Sequence, residues 1–294
     1  YRKSDVPDGG WTDENFVGDA AEGLMRDIVN TRNAAVAKGM RRLMPQLKSV
    51  FDKQMERVIR HATSTVRSVY GSSAKKDVGD LVIDLGVHEQ LWIDAIEAEL
   101  RLGGLEVNAM QQPVLQSTAD DIYGKVGVLI GNEAPSPQQI SFHQHRIAQL
   151  AQRVTGVNNT TKLRLSNIVK RSLTDGATVS DVQERIRDEF PQISDNRTNT
   201  IARTELGNAA DKSTLAAMRH SGTVTHVSVI GCQHVEQSAP HFRGTPTCNI
   251  QNVPIEFEGA LEFHINHTGA IVPSGFRRSD GTVPNLPLRG APYD

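Results

Sequence analysis

Between residues 24 and 59 the apolar side chains Leu24, Ile28, Val36, Met40, Leu43, Leu47, Val50, Phe51, Met55, Val58 and Ile59 recur at steps of about three and four. That spacing puts them on one side of an α-helix and leaves the other side wet. Pro45 interrupts the series. A proline lacks the N–H of a helix hydrogen bond and clashes with the preceding turn, so a kink or break is expected there. Gly71-Ser72-Ser73 ends the segment. A second helical pattern runs from about Val87 to Leu102, with Leu91, Ile93, Ile96 and Leu100 on its apolar side, and Gly103-Gly104 is expected to separate it from a third within 105–130. Aromatic residues make up only 5% of the chain, and long stretches consist of Ala, Leu, Val, Arg, Gln and Glu, a composition that leans towards helix.

The stretch NEAPSPQQ, residues 132–139, combines two prolines with small polar residues and reads as a linker. Beyond it, helical patterns cover roughly 137–154, 159–173 and 178–189. The last starts at Thr178 or Ser180 ahead of a run containing Glu184, and Pro191 is expected to end it. A longer helix over 195–220 should stop at Gly222, which can take the left-handed conformation that closes helices. The period then changes. TVTHVSVIG, residues 223–231, alternates β-branched and polar residues and predicts a strand, with short β candidates at 260–264 and 270–272. The expected fold is mainly α with a C-terminal α+β module: long N-terminal helices, then a helical subdomain and a small β-containing tail. The expected division is a helical assembly region over 1–131, the linker, a domain over 140–280 and an extended tail over 281–294.

Charge narrows the function. Thirty-two basic residues against 34 acidic ones give a net charge of −2, which removes the broad positive field of a non-specific nucleic-acid binder. Two cysteines make no disulfide framework, and no run approaches the roughly 18 apolar residues of a membrane span. The chain therefore reads as a soluble protein folded in a reducing cytoplasm. It begins at Tyr1 with no apolar signal core after it, as a trimmed or processed product would.

The stretch RTNTIARTELGNAADKSTLAAMRHSG, with TDGATVSDVQERIRDEF before it and a strand and a Cys/His-bearing tail after it, resembles the Mu F-like minor head protein family of tailed bacteriophages, the phage head morphogenesis family. The residues that carry the resemblance are Arg197, the run Ile201-Ala202-Arg203-Thr204-Glu205, Asn208, Ala209 and Gly222, within about 158–272. The family's domain closes with His-Pro-Asn-Cys-Arg-Cys. Here FHINHTGAIV keeps His264 and Asn266, has Ile265 for the proline, and puts His267 where a cysteine is usual. The resemblance implies a non-catalytic minor capsid protein of the virion, assembled in the host cytoplasm and present in few copies. It would lie in the head interior or at the portal vertex, associate with the portal protein or the major capsid protein, and influence DNA packaging or ejection.

Within this stretch Arg197, Arg203, Thr204, Glu205 and Asn208 are the candidate structural motif, with Asp211 close behind. Residues two apart on a helix face different ways, so Arg203 and Glu205 form no ready acid/base dyad. The expected role of each is to reach neighbouring backbone groups or opposite charges and lock the helix against the strand that follows. On that reading Glu205→Ala misfolds the domain. No GxxxxGK[ST], GxSxG or strand-linked GxGxxG motif appears in the chain.

Two further clusters carry possible chemistry. Cys232, His234, His241, Cys248, His264 and His267 offer soft and borderline ligands of the kind zinc prefers, with Cys232/His234 and His264/His267 as close pairs and Cys248 between them. The cofactor expectation is none, with structural zinc as the candidate. FHINH is not HExxH, since no glutamate follows His264 and Glu262 lies on its wrong side, so a catalytic metal is disfavoured. A zinc-dependent hydrolase or nuclease built on this tail is the alternative function. Arg41, Arg42, Lys48, Lys53 and Arg57, with Lys38 and Arg60, form one basic stripe; Lys162, Arg164, Lys170 and Arg171 form another. Such stripes are usually solvated helix faces, and the functional alternative is contact with packaged DNA or an acidic protein surface. The Pro/Gly-rich tail GTVPNLPLRGAPYD is expected to be an ordered extension that docks on a neighbour.

Overall fold

The structure, a computed structural model, describes residues 10–70, 87–131, 141, 155–175, 177–231, 250–261 and 269–287. Four long α-helices dominate them: α1 (Gly18–Tyr70), α2 (Val87–Leu129), α3 (Thr155–Thr174) and α4 (Val179–Ser221). Then follow strand β1 (Val224–Ile230), strand β2 (Val253–Pro254), a 3-10 turn (Ile255–Ala260) and strand β3 (Ala270–Phe276). This is the mainly α fold with a small C-terminal β element that the periodicities predict.

The helices are longer than their punctuation suggests. Pro45, Pro113 and Pro191 lie inside α1, α2 and α4, and no helix ends at them. No break occurs at Pro45, which leaves the kink as the alternative there, and the expected stop at Pro191 does not occur. All three prolines are exposed, so water can satisfy the carbonyl that each leaves without a partner. Around Pro45, Leu43, Leu47 and Phe51 are completely buried, and that packing holds α1 together through the lost hydrogen bond.

Gly103-Gly104 likewise does not separate two helices, because α2 runs through it. A Cβ on Gly103 would overlap the side-chain amide of Gln54, whose Nε2 donates to the Glu99 carbonyl at 2.7 Å. The glycine lets α1 and α2 approach closely there. The patterns at 178–189 and 195–220 are one helix. Its start is a reciprocal cap: the Thr178 backbone N–H donates to Asp181 Oδ2 at 2.7 Å and the Asp181 N–H donates to Thr178 Oγ1 at 3.2 Å, so Asp181 rather than Glu184 is the acidic partner. Gly222 closes α4 with φ +68°, as expected.

The pattern at 159–173 is α3, which extends it slightly at both ends. The linker 132–139 lies outside the described residues, as does the helix expected at 137–154 apart from residue 141, which is helical. The β candidate at 270–272 is the start of β3. The one at 260–264 is not a strand where it is described: Ala260 ends the 3-10 turn and Leu261 is irregular, while 262–264 lie outside the described residues.

Packing groups the chain into two compact units. The first comprises Tyr1–Arg41, Pro113–Leu150 and Ala202–Asp294; the second comprises Arg42–Gln112 and Ala151–Ile201. The core of the second is built from completely buried residues such as Phe51 and Val169 together with Trp92, Ile96, Ile186 and Phe190. In the first, the core joins Leu24 and Ile28 of α1, Ile122 and Val126 of α2, Ala217 and Met218 of α4 and the β residues Val227 and Ile271. Residues 10–17 belong to it. Trp11 and Phe16 stack with Phe276 at centroid distances of 6.0 and 4.8 Å, and Trp11 Nε1 donates to the Leu129 carbonyl at 2.9 Å.

The sheet has strand order β2-β1-β3, antiparallel throughout. Its register slips at one place and recovers. Val224 pairs with Phe276 and His226 with Gly275, so Thr225 is an extra residue on β1; Val227 then pairs with Pro273, so Ser274 is an extra residue on β3. Side chains alternate faces in a regular strand, which would set Val224 opposite Val227 and Val229. The bulge lets all three join the same core. Thr225, His226 and Ser228 remain as buried polar residues on β1.

Candidate functional site

The helix that carries the motif turns its charged residues in different directions. Glu205 is buried and Arg203 exposed, as their two-residue offset requires, while Thr204 and Asn208 are partly buried. Among the described residues, Arg203 does not form the expected lock. Beside Glu205, the inward charge is Asp211, completely buried, held by Arg32 of α1. Arg32 Nε donates to Oδ1 at 2.7 Å and Nη2 donates to Oδ2 at 3.0 Å, a bidentate pair inside the first unit. Burial pushes the Asp211 carboxyl upward against the pull of Arg32, which is the signature of a charge removed from water. Nearby, a Cβ on Gly39 would stand 2.6 Å from Leu206 Cδ2 and 2.9 Å from Thr118 Oγ1, so α1, α2 and α4 are in close contact beside the motif.

Arg197 belongs to the second unit. Its guanidinium carbon sits 4.1 Å from the centre of the Phe51 ring, and Nη1 donates to Gln54 Oε1 at 3.2 Å. Burial lowers its pKa to about 10, which still leaves it charged at neutral pH. Gln54 also donates to the Glu99 carbonyl, so one amide ties three helices of this unit. Arg32 and Gln54 are the functional residues that sequence reasoning missed. A signal existed for both. Arg32 lies four residues after Ile28 and three before Ala35, and Gln54 lies three after Phe51 and four before Val58, so both fall on the apolar face of α1.

Glu205→Ala is expected to lower the thermal midpoint of the protein by an amount equivalent to about 2 kcal/mol, the scale for removing one partner of a buried polar interaction. Differential scanning calorimetry reads this directly. An unchanged midpoint would mean that Glu205 does not hold the fold.

Three cations of the basic stripes are answered by acids within the second unit. Lys48 pairs with Asp195 at 2.7 Å, Arg57 with Glu99 and Glu106 at 2.9 Å each, and Lys162 with Glu97. The exposed pairs among them, Lys48–Asp195 and Lys162–Glu97, each contribute about 0–1 kcal/mol to stability, but all of them cancel the local field. Arg42 and Lys170 are also engaged in interactions. Arg41, Lys53, Arg164 and Arg171 are exposed. The stripes thus divide into matched and solvated cations.

The proposed zinc ligands Cys232, His234, His241, Cys248, His264 and His267 all lie outside the described residues. Among the described residues, no group of three or more His, Cys, Asp or Glu side chains could hold a metal ion, and no helix is long and apolar enough to cross a membrane. Arg32–Asp211 and Arg197–Gln54 hold helices in register by directional contacts that an apolar core alone does not provide. Comparison of the chain with protein-family models, with curated proteins and with solved structures returns no match.

Proposed function

We propose that the chain is a minor head structural protein of a tailed phage, which joins the portal or the inner capsid during head assembly and acts by binding rather than turnover. The reading rests on the resemblance carried by Arg197, Ile201 to Glu205, Asn208 and Gly222. The observation that supports it best is that the charged residues of this stretch are used inward: Glu205 and Asp211 are buried in the first unit and Arg197 in the second. A stretch used in this way maintains the shape of a binding module. The pairing of Lys48, Arg57 and Lys162 with carboxylates favours a protein partner over packaged DNA, because matched cations release few counterions on meeting a phosphate backbone.

Co-expression with the portal protein of the same genome tests this. Co-elution at one fixed, sub-stoichiometric ratio by light scattering is the expected result. A portal that assembles without this chain, with the chain eluting alone, overturns the reading. Metal analysis of the same peak tests the Cys/His tail as a zinc staple.

A further inference from the structure

The C-terminal segment beyond β3 folds back onto the sheet. A tight turn at 278–282 reverses the chain: the Arg278 N–H donates to the Thr282 carbonyl at 2.9 Å, Gly281 sits at φ +83°, and Asp280 accepts from the Thr282 N–H at 2.8 Å. Residues 282–287 then run without regular structure. Leu286 rests over the bare Cα of Gly275, where a Cβ would lie 2.6 Å from Leu286 Cδ1 and 3.2 Å from His226 Nδ1. The Pro287 carbonyl accepts from Asn252 Nδ2 at 2.9 Å. Leu286 and the imidazole of His226 therefore converge on one spot, the single out-of-register pair of the sheet.

We propose that residues 282–287 are an acid-released strap: Leu286 stays seated over Gly275 while the His226 imidazole is neutral, and protonation of that imidazole lifts the strap from the sheet. Pro284 is buried, Leu286 is partly buried over Gly275 and the Pro287 carbonyl accepts from Asn252, but among the described residues no backbone N–H of 283–287 is bonded to the sheet, so the segment can open without breaking a ladder. His226 is 5% exposed, with Nδ1 3.1 Å from Thr225 Oγ1. An imidazolium there must recover water, and the space that water would enter is filled by Leu286.

Two charged groups act on the ring, Asp13 of the N-terminal segment and Glu256 of the 3-10 turn, and both favour its protonation; burial outweighs them and holds its pKa below the usual histidine value. Lifting the strap returns water to the ring, so the open form binds the proton more tightly than the closed form. The closed form is then fully favoured above the ordinary histidine pKa of about 6.5 and loses ground as pH falls below it. Two acids adjoin the turn. Glu14 accepts from Ser279, and Asp280 from Thr282. Hydrogen bonds keep both carboxyls below their ordinary range, so they stay ionised while His226 titrates.

NMR of the full chain tests the proposal, read as the nuclear Overhauser contact between the Leu286 methyls and the Gly275 α protons. Between about pH 7.5 and about pH 5 that contact is expected to be largely lost while the contact between Val229 and Ile271 across the sheet holds, and His226→Gln should flatten the change. A flat wild-type profile, or the same fall in His226→Gln, overturns it. If His226→Gln does not fold, Leu286→Ala decides: His226, followed by NMR, is expected to titrate at a more ordinary value once its cover is gone. A titration unchanged from wild type overturns the strap.

Discussion

Asp211→Ala is expected to destabilise the first unit by about 3–5 kcal/mol, because it leaves the Arg32 guanidinium buried with no carboxylate opposite it. Arg32 and Asp211 are 5% and 0% exposed, so water cannot take over the lost bonds. Against a total stability of about 5–15 kcal/mol, a loss of that size brings the unit close to unfolding at room temperature. The two tryptophans allow it to be read separately, since Trp11 lies in the first unit and Trp92 in the second. In a Trp92→Phe background, the urea midpoint of Trp11 fluorescence should fall sharply. Replacing both partners, Arg32→Met with Asp211→Leu, should recover most of the loss, because an apolar pair of similar volume avoids the desolvation of two charges. A loss below about 1 kcal/mol in Asp211→Ala would show that the pair is not the clamp.

Trp11→Ala should have a comparable effect, about 3–5 kcal/mol, the scale for removing a large aromatic ring from a core. The ring is 3% exposed, meets Phe16 edge-on and Phe276 at a tilt, and donates from Nε1 to the Leu129 carbonyl. Both packing and a buried hydrogen bond go at once. Trp11→Phe separates them: it keeps most of the ring contact and loses the bond, for an expected loss of about 1 kcal/mol. Thermal unfolding followed by far-ultraviolet circular dichroism ranks the three proteins. Equal midpoints in wild type and Trp11→Ala would mean that the N-terminal segment does not close this core.

Much of the fold was legible because a helix repeats its environment every three or four residues. The series from Leu24 to Ile59 and the alternation in TVTHVSVIG led to α1 and β1, and Gly222 ended α4 where the left-handed rule put it. The misreadings came from local signals that longer-range packing overrode. Pro45 and Pro191 have the same chemistry in any helix, but whether they break one depends on whether the proline faces water, and that is settled by the other helices. Gly103-Gly104 looked like an interruption, whereas Gln54, far away in sequence, needed that space. The motif region was legible as a place but not as a set of contacts. Arg203 and Glu205 stand only two residues apart in sequence, while the pair that closes the unit joins Asp211 to Arg32, 179 residues away. Trp11 gives no signal in the sequence, since a single aromatic among Gly, Asp and Thr carries no periodicity.

The division of the chain into units also sets an order of events. Arg42–Gln112 and Ala151–Ile201 contain the whole of the second unit, so its contacts can all form once the chain has been made as far as Ile201. The first unit has to wait. Trp11 has no Phe276 to stack on, and the central strand β1 has no β3, until the last part of the described chain has left the ribosome. Throughout that interval the apolar faces of Leu24, Ile28 and Ile122 are synthesised but uncovered, which makes the first unit the slower of the two to form and the one in greater need of protection during synthesis.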